Sequence, residues 1–474
     1  MDTQEFRRLG HEMVEWIAAY RERMPELPVM SPLGPGDVKR LLPATPPQKG
    51  GSLDGVTGDL DRIVLPGITH WNHPGFFAYF PSNSDLASVL ADMACAGLGA
   101  QGMSWQTSPA ATEVEEVVMD WLRQMLGLGT EFTGVIQDTA STATFCALLC
   151  AREWSCAFGQ SRGGFQAEEA PLVVYASDQA HSSIEKAALL AGFGRDNLRL
   201  IPTDASHALR LDLLEKTILE DLAAGRRPCA MVAAIGTTAT TAVDPLAGMA
   251  RLSARHGIWL HVDAAMAGTA MICPECRVMW EGIESADSLV LNPHKWMGTG
   301  FDLSAYFVKD PEHLIRVMST NPSYLHTDQD GQVKNLRDWG IPLGRRFRAL
   351  KLWFLVRSQG VEGLQARVRR DLANAQWLKA QVQATGGWEL MAPVNLQTVC
   401  VRHVPEGMTD EAELRAHNLA LMGSVNRSGK YYLTPSVLKG RQIIRVSIGS
   451  SATELTDVEG LWEALIEASM RAAG

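Results

Sequence analysis

Long apolar runs are missing from this chain. No uninterrupted stretch approaches the roughly 18 residues that a membrane-spanning helix needs, so no membrane span is expected. Positive charge is not in excess either. Lys and Arg number 43 against 53 Asp and Glu, a net charge of −10, and the two signs are interspersed. A basic nucleic-acid-binding face is therefore not expected. Cysteine is scarce, at 8 in 474 residues, too few for a disulfide framework in so long a chain. Cys273 and Cys276 form a lone C-x-x-C without a second ligand pair at zinc spacing, so they read as two ordinary thiols and no metal site is expected. The opening residues "MDTQEFRRLG" carry early acids and no apolar h-region, so no secretory signal is visible and a cytoplasmic protein is expected. There is no internal repeat and no low-complexity tract.

What is present is a balanced composition, 46% hydrophobic and 20% charged, long enough for more than one hydrophobic core. Phe6, Leu9, Met13, Val14 and Ile17 recur at three- and four-residue steps and predict an amphipathic helix. The Pro- and Gly-rich "LPVMSPLGPGDVKRLLPATPPQKGG" that follows predicts an extended arm, and a partner subunit is one candidate for what it packs on. Short apolar runs then alternate with helical stretches: "TGVIQ", "PLVVYAS", "LRLIP", "CAMVAAIG", "IWLHVD" and "SLVLN". That alternation predicts a mainly parallel sheet wrapped by helices. After about Leu350 come long charged helices and short strands near "QTVCVRHV" and "QIIRVSIG", a smaller α+β domain. The expected divisions are an N-terminal helical and extended arm over 1–84, a large α/β domain over 85–350 and a small C-terminal α+β domain over 351–474.

In open α/β sheets, ligands sit beyond the carboxyl ends of the strands. "TGVIQ" is followed by Asp138, Thr139, Ala140, Ser141 and Thr142, and "PLVVYAS" by Asp178 and His181. "CAMVAAIG" is followed by Thr237 and Thr238, "IWLHVD" ends in Asp263, and "SLVLN" leads to His294 and Lys295. A desolvated lysine amine can form a Schiff base with an aldehyde. Small hydroxyl residues at a helix start can bind phosphate through backbone N–H groups and the helix dipole. A buried acid can hold a pyridine nitrogen protonated. Phosphate, aldehyde and pyridinium together describe pyridoxal 5'-phosphate (PLP). Each piece alone is weak, since a strand-end Asp is more often a cap or turn residue. The order of phosphate loop, histidine, strand-end acid and then "HK" about thirty residues later is far more specific.

These motifs sit within longer matches: "EFRRLGHEMVEWIAAY", "LPGITHWNHPGFFAYFPSNS", "SWQTSPAATEVE", "SDQAHSSIEKA", "LHVDAAMAG", "NPHKW", "NPSYL" and "IPLGRRFRALKLWF". On them the chain resembles the group II PLP-dependent decarboxylases, specifically the aromatic-L-amino-acid decarboxylases and their bacterial L-DOPA decarboxylase-like branch. The resemblance implies a PLP-dependent transferase-like fold of the aspartate aminotransferase type (fold type I) and a homodimer. It implies that Lys295 is the Schiff-base lysine and that Asp263 pairs with the ring nitrogen. His181 and Ala265 would lie on the two faces of the ring. Thr139, Ala140, Ser141, Asn292 and His294 would hold the phosphate, and Thr238 would approach the ring oxygen. Trp71, Tyr79, Phe80 and Ser82 would line the substrate pocket, joined by Gln101 and Met103 from the other subunit. Tyr324, in "NPSYLHTDQDGQVKN", would protonate the product carbanion from a lid over Ser319–Asn335. Gly344, in "IPLGRRFR", leaves room that could admit an indole.

Two departures stand out. Asp138 occupies a position that is small in many relatives and is expected to turn away from phosphate and cap the helix. Met103 replaces a residue that is aromatic in animal relatives. The implied reaction is decarboxylation of an aromatic L-amino acid. Three rivals stand beside it. A glutamate decarboxylase is disfavoured by Trp71, Tyr79 and Phe80, and an aromatic aldehyde synthase by His181 with Tyr324. A non-catalytic scaffold is disfavoured by the presence of both Lys295 and Asp263.

Overall fold

The computed structural model describes residues 1–320, 329 and 331–473. Helix α1 (Thr3–Arg23) starts at Asp2, whose carboxylate accepts from the N–H groups of Gln4 and Glu5, both at 2.8 Å. Its apolar face is only partly covered: Leu9 is buried, while Phe6 is 65% exposed and Val14 39%. The Pro- and Gly-rich segment holds two short helices, α2 (Asp37–Leu41) and α3 (Val56–Asp59).

The larger unit begins with α4 (Leu86–Leu98) and α5 (Pro109–Leu126). It continues as β1 (Thr133–Gln137), α6 (Ala140–Ser155), β2 (Leu172–Ser177), α7 (Ser182–Leu190), β3 (Leu198–Ile201) and α8 (Leu211–Ala223). Next come β4 (Arg227–Ala234), α9 (Leu246–His256), β5 (Trp259–Asp263) and β6 (Ser288–Leu291). The series ends with β7 (Ser304–Val308), α10 (Pro311–Met318) and α11 (Ala349–Ala384). The strand order is β1-β7-β6-β5-β4-β2-β3. Neighbours are parallel except at β7, which runs antiparallel to both β1 and β6. Strands β2, β5, β6 and β7 are buried along their whole length. That continuous burial is what a sheet covered on both faces requires.

Beyond these, β8 (Trp388–Leu390), β9 (Thr398–His403), α12 (Glu411–Arg427), β10 (Thr434–Leu438), β11 (Arg441–Ser447) and α13 (Leu455–Ala473) complete the chain. The four strands form a sheet of order β10-β11-β9-β8. The mainly parallel sheet with a smaller α+β part is the expected fold class. No helix among the described residues is long and apolar enough to cross a membrane.

The compact units divide differently from the expected ranges. One comprises Met1–Pro81, Thr385–Glu389 and Val401–Gly474; the other comprises Ser82–Ala384 and Leu390–Cys400. The N-terminal arm shares its unit with the C-terminal elements, through bonds such as Val29 N–H to Gly429 O (2.8 Å) and Phe77 N–H to Tyr432 O (3.0 Å). Helix α11 belongs to the larger unit because its apolar side, including Leu352, Leu355, Leu364 and Val368, packs with α4 and α5. Many of its charges, which suggested a new domain, face solvent, while Lys351 and Asp371 are buried. It is interrupted at Gly360, whose φ of +62° and ψ of 173° lie in a region open essentially to glycine alone.

Strand β7 was not among the strands predicted from the sequence. A β-α alternation does not flag it, because no α-helix lies between it and β6 and it pairs antiparallel to that strand.

Candidate active site

The register of the large sheet builds a single rim. Gln137, at the end of β1, lies opposite Ser304, at the start of the antiparallel β7. Leu291 lies opposite Ala305, and Asp263 lies between Val290 and Ala234. The loops that leave these positions carry the candidate residues.

At the first strand end, Thr139 is the N-cap of α6, and its hydroxyl accepts from Thr142 N–H at 3.4 Å. Ala140 opens the helix and Ser141 is exposed beside it, so the N–H groups of a 16-residue helix face the rim. Asp138 does not cap the helix as expected. Its carboxylate accepts from the N–H of its neighbour Thr139 at 2.6 Å, one residue too early, and Thr139 caps instead.

At the sixth strand end, Ser304 Oγ donates to Asn292 Oδ1 at 2.6 Å, which leaves the Asn292 amide nitrogen as its donor end. His294 Nδ1 accepts from Leu303 N–H at 3.0 Å, so the neutral ring carries its proton on Nε2. Burial first, then the Lys295 charge, pushes His294 down to about 4. It is therefore a neutral donor at physiological pH.

Asp263 is 8% exposed, and its carboxylate accepts from Ala265 N–H at 3.1 Å. Ala265 O in turn accepts from Asn292 N–H at 2.8 Å. His181 is the N-cap of α7: its Nδ1 accepts from Ser183 N–H at 3.1 Å and lies 2.7 Å from Ser183 Oγ. The His181 pKa is lowered by burial and by Lys295, with Asp263 acting in the opposite sense. His181, Asp263 and Lys295 thus lie within electrostatic reach of one another. Thr238 is exposed on the loop after β4.

Lys295 sits in a turn over Pro293–Met297 with non-helical backbone angles, φ −96° and ψ −108°. It is part-exposed in an otherwise buried run.

The substrate-side candidates fall in both units. In the smaller one, Trp71 stacks on Tyr79 with centroids 5.6 Å apart, and Tyr79 Oη lies 3.2 Å from Tyr432 Oη. Arg445 stands over the Phe80 ring at 4.4 Å. In the larger one, Ser82 is half-buried, Gln101 Oε1 accepts from Arg345 N–H at 2.8 Å, and Met103 O accepts from Arg337 N–H at 2.8 Å. A Cβ on Gly344 would stand 3.0 Å from Gln101 Nε2, so the two are neighbours within one chain. Tyr324 and most of the expected lid lie outside the described residues.

Sequence reasoning missed Asp244. It is 1% exposed and accepts from Ala234 N–H at 2.8 Å and Leu209 N–H at 2.9 Å. Ala234 lies opposite Asp263, and Ile235 N–H donates to Asp263 O at 2.9 Å, so Asp244 ties down the strand beside the candidate acid. In "TAVDPLAG" it looks like a turn residue before proline, and only burial reveals it. Asn83, whose side chain donates to Lys295 O at 3.0 Å, was missed for the same reason.

A family model described as the pyridoxal-dependent decarboxylase conserved domain matches residues 35–404. The chain is 42% identical over 477 residues to a phenylacetaldehyde synthase of Arabidopsis thaliana, covering 98% of this chain and 96% of that protein. It is 42% identical over 480 residues to an aromatic-L-amino-acid decarboxylase of Bos taurus, again covering 98% and 96%. The crystal structure of Oryza sativa TDC with PLP and tryptamine matches with a TM-score of 0.97 at 36% identity, covering 100% of this chain and 99% of that one. The chain belongs to the pyridoxal-dependent decarboxylases. It is a carboxy-lyase of fold type I, with pyridoxal phosphate as its cofactor. The rim fits that cofactor. It offers neutral donors and a helix N-terminus for a phosphate, a buried carboxylate for a ring nitrogen and an amine for an aldehyde.

Asp244 gives a prediction. Burial pushes it up to about 7, against the pull of its two N–H donors. Its stabilising contribution is full below the ordinary carboxylate range and is lost as pH rises through about 7. In Asp244→Asn one backbone N–H faces an amide NH2, so the fold is expected to lose about 1–3 kcal/mol. The gap between the two proteins should be wider at pH 5 than at pH 8. Denaturant unfolding of the cofactor-free chains at both pH values measures it, and an equal or reversed gap removes Asp244 from this role.

Proposed function

We propose that this chain decarboxylates aromatic L-amino acids to the corresponding amines and carbon dioxide. The observation that carries this reading is the gathering of Lys295, Asp263 and His181 at one rim beside neutral phosphate donors. The relatives named for aromatic substrates support the ring preference. So do the exposed rings of Trp71 and Tyr79, which give the smaller unit an aromatic surface. Arg445 donates to Tyr79 O and stands over the Phe80 ring.

Bound pyridoxal phosphate supplies an electron sink for the pair left behind when the carboxylate departs. The residues divide the remaining work. The N-terminus of α6, with Thr139, Ala140 and Ser141, binds the phosphate together with Asn292 Nδ2 and His294 Nε2. Lys295 Nζ is the amine that carries the cofactor. Asp263 holds a proton at the ring nitrogen, and its low exposure strengthens that interaction. His181 and Ala265 would bound the ring, and Thr238 would stand near its oxygen. Tyr324 would be the proton donor to the substrate's Cα.

Carbon dioxide release from L-DOPA, 5-hydroxytryptophan, tryptophan, tyrosine, phenylalanine and glutamate tests the assignment. At least one aromatic amino acid is expected to exceed glutamate in kcat/KM, and Lys295→Ala to lose at least about a hundredfold in rate. A preference for glutamate over every aromatic substrate overturns the reading.

We further propose a homodimer. Leu86, Leu90 and Met93 share one face of α4 and are 50%, 54% and 43% exposed; Phe301 is 64% exposed. Phe6 and Val14 of α1 are likewise uncovered. Exposed apolar groups of this kind are what a partner subunit would cover. Sedimentation at micromolar concentration should give twice the chain mass, and an active monomer refutes the dimer.

A second reading is favoured by the similarity to a phenylacetaldehyde synthase: release of an aldehyde, carbon dioxide, ammonia and peroxide with consumption of oxygen and water. Tyr324 separates the two readings. The unaltered chain is expected to form amine without oxygen uptake. Tyr324→Phe, which keeps the ring and loses the hydroxyl, is expected to shift product toward aldehyde with matching oxygen uptake. Unchanged amine yield in that variant removes Tyr324 from the catalytic list, and oxygen uptake by the unaltered chain supports the synthase reading.

A further inference from the structure

The backbone leaves helical geometry at Lys295, and the carbonyls that follow lose the donors a helix would provide. The N–H groups of Gly298 and Thr299 both turn back to Pro293 O, at 2.9 and 3.0 Å. A buried carbonyl without a partner is costly, so each must find a donor elsewhere. Lys295 O accepts from Asn83 Nδ2 at 3.0 Å. Trp296 O accepts from Arg367 Nη2 at 2.8 Å, and the same nitrogen reaches Met297 O. Gly298 O accepts from Asp85 N–H at 3.0 Å.

The Trp296 side chain is gripped from the same helix. Asp371, one turn beyond Arg367 on α11, accepts from Trp296 Nε1 at 2.8 Å through Oδ2. Its other oxygen accepts from Arg370 at 3.2 Å. Trp296 is the largest fully buried side chain among the described residues, so its indole has one seat. Gly298 completes the fit, because a Cβ there would stand 2.7 Å from Arg367 Nη1.

We propose that Arg367 and Asp371 of α11, with Asn83, clamp the segment Lys295–Met297 and act as positioning residues for the Lys295 amine. This rests on reading Lys295 as the cofactor lysine. A lysine side chain has four rotatable bonds, so the placement of its amine depends on a fixed Cα and a fixed peptide plane. The clamp fixes the peptide plane on the C-terminal side of Lys295 and the residue after it. On the N-terminal side, Lys295 N–H donates to Asn292 O at 2.9 Å.

The test uses Arg367→Met, which keeps a long side chain and removes both donations. In the cofactor-free chain, amide exchange over residues 294–299 is expected to quicken at least about tenfold, while β4 exchanges as before. In the loaded enzyme, the pH midpoint of the cofactor's visible absorption is expected to move. There kcat should fall by about tenfold or more with little change in KM. Arg367→Lys, which keeps a donor, should recover part of each effect. Asn83→Ala removes a bond to Lys295 O without touching a buried charge, and it replaces Arg367→Met if that variant does not fold. Unchanged exchange and an unmoved pH midpoint overturn the proposal. A general loss of stability with the midpoint unmoved also overturns it, because that is what a packing role alone would give. Borohydride reduction of the unaltered enzyme distinguishes failure of the underlying assignment: a pyridoxyl group on another lysine refutes Lys295 as the cofactor lysine, whereas the exchange data report on the clamp itself.

Discussion

The pairing of β5 with β6 decides where the acid and the amine stand. Asp263 lies opposite Val290, and its neighbour Ala264 donates its N–H to Val290 O at 2.9 Å. Side chains alternate across a strand, so a slip of one residue would turn Asp263 to the opposite face of the sheet. The register is held from the other side by β4, where Asp244 bonds the Ala234 N–H. Asp263 is therefore locked between two neighbours, and Asn292 follows β6 at a distance set by the same ladder.

Electrostatics at the rim follow from burial. His261 and His294 are both pushed down to about 4, chiefly by desolvation, and His181 is lowered for the same reason. Three imidazoles, His181 beside both Asp263 and Lys295, His261 beside Asp263 and His294 beside Lys295, thus favour neutrality near pH 7. They add hydrogen-bonding capacity without adding charge. A phosphate group can then rely on N–H donors and a helix end, while the field between Asp263 and a ring nitrogen is left undiluted.

Much of this was legible in the sequence, because six of the seven strands of the large sheet are short apolar runs with polar residues at their ends. The rim residues follow once the strands are placed. The seventh, "SAYFV", was missed because its direction breaks the β-α rhythm. Helix α11, expected with the C-terminal part, lies in the larger compact unit because its apolar side packs with α4 and α5. Asp244, Asn83, Arg367 and Asp371 were invisible for a common reason. Each acts on a backbone group or an indole far away in sequence, and no spacing rule reports such a bond.

The stretch that leaves Lys295 shows what this arrangement costs. From Lys295 to Asp302 the carbonyls draw on Asn83, Arg367, the Asp85 N–H and then Lys351, whose Nζ donates to Gly300 O at 3.0 Å and Asp302 O at 2.9 Å. Lys351 is 1% exposed, and the Asp302 carboxylate is bound by Arg348 at 3.0 and 3.3 Å. Desolvating such charges costs several kcal/mol per ion, and apolar packing would stabilise the fold at least as well. A plain helix would satisfy the same carbonyls with no buried charge at all. It would also set the lysine on a helical face, with a direction dictated by the helix axis. Breaking the helix at Lys295 frees that direction from the axis, and the surrounding side chains then define it. The buried ions around this turn are best understood as the cost of aiming one amine.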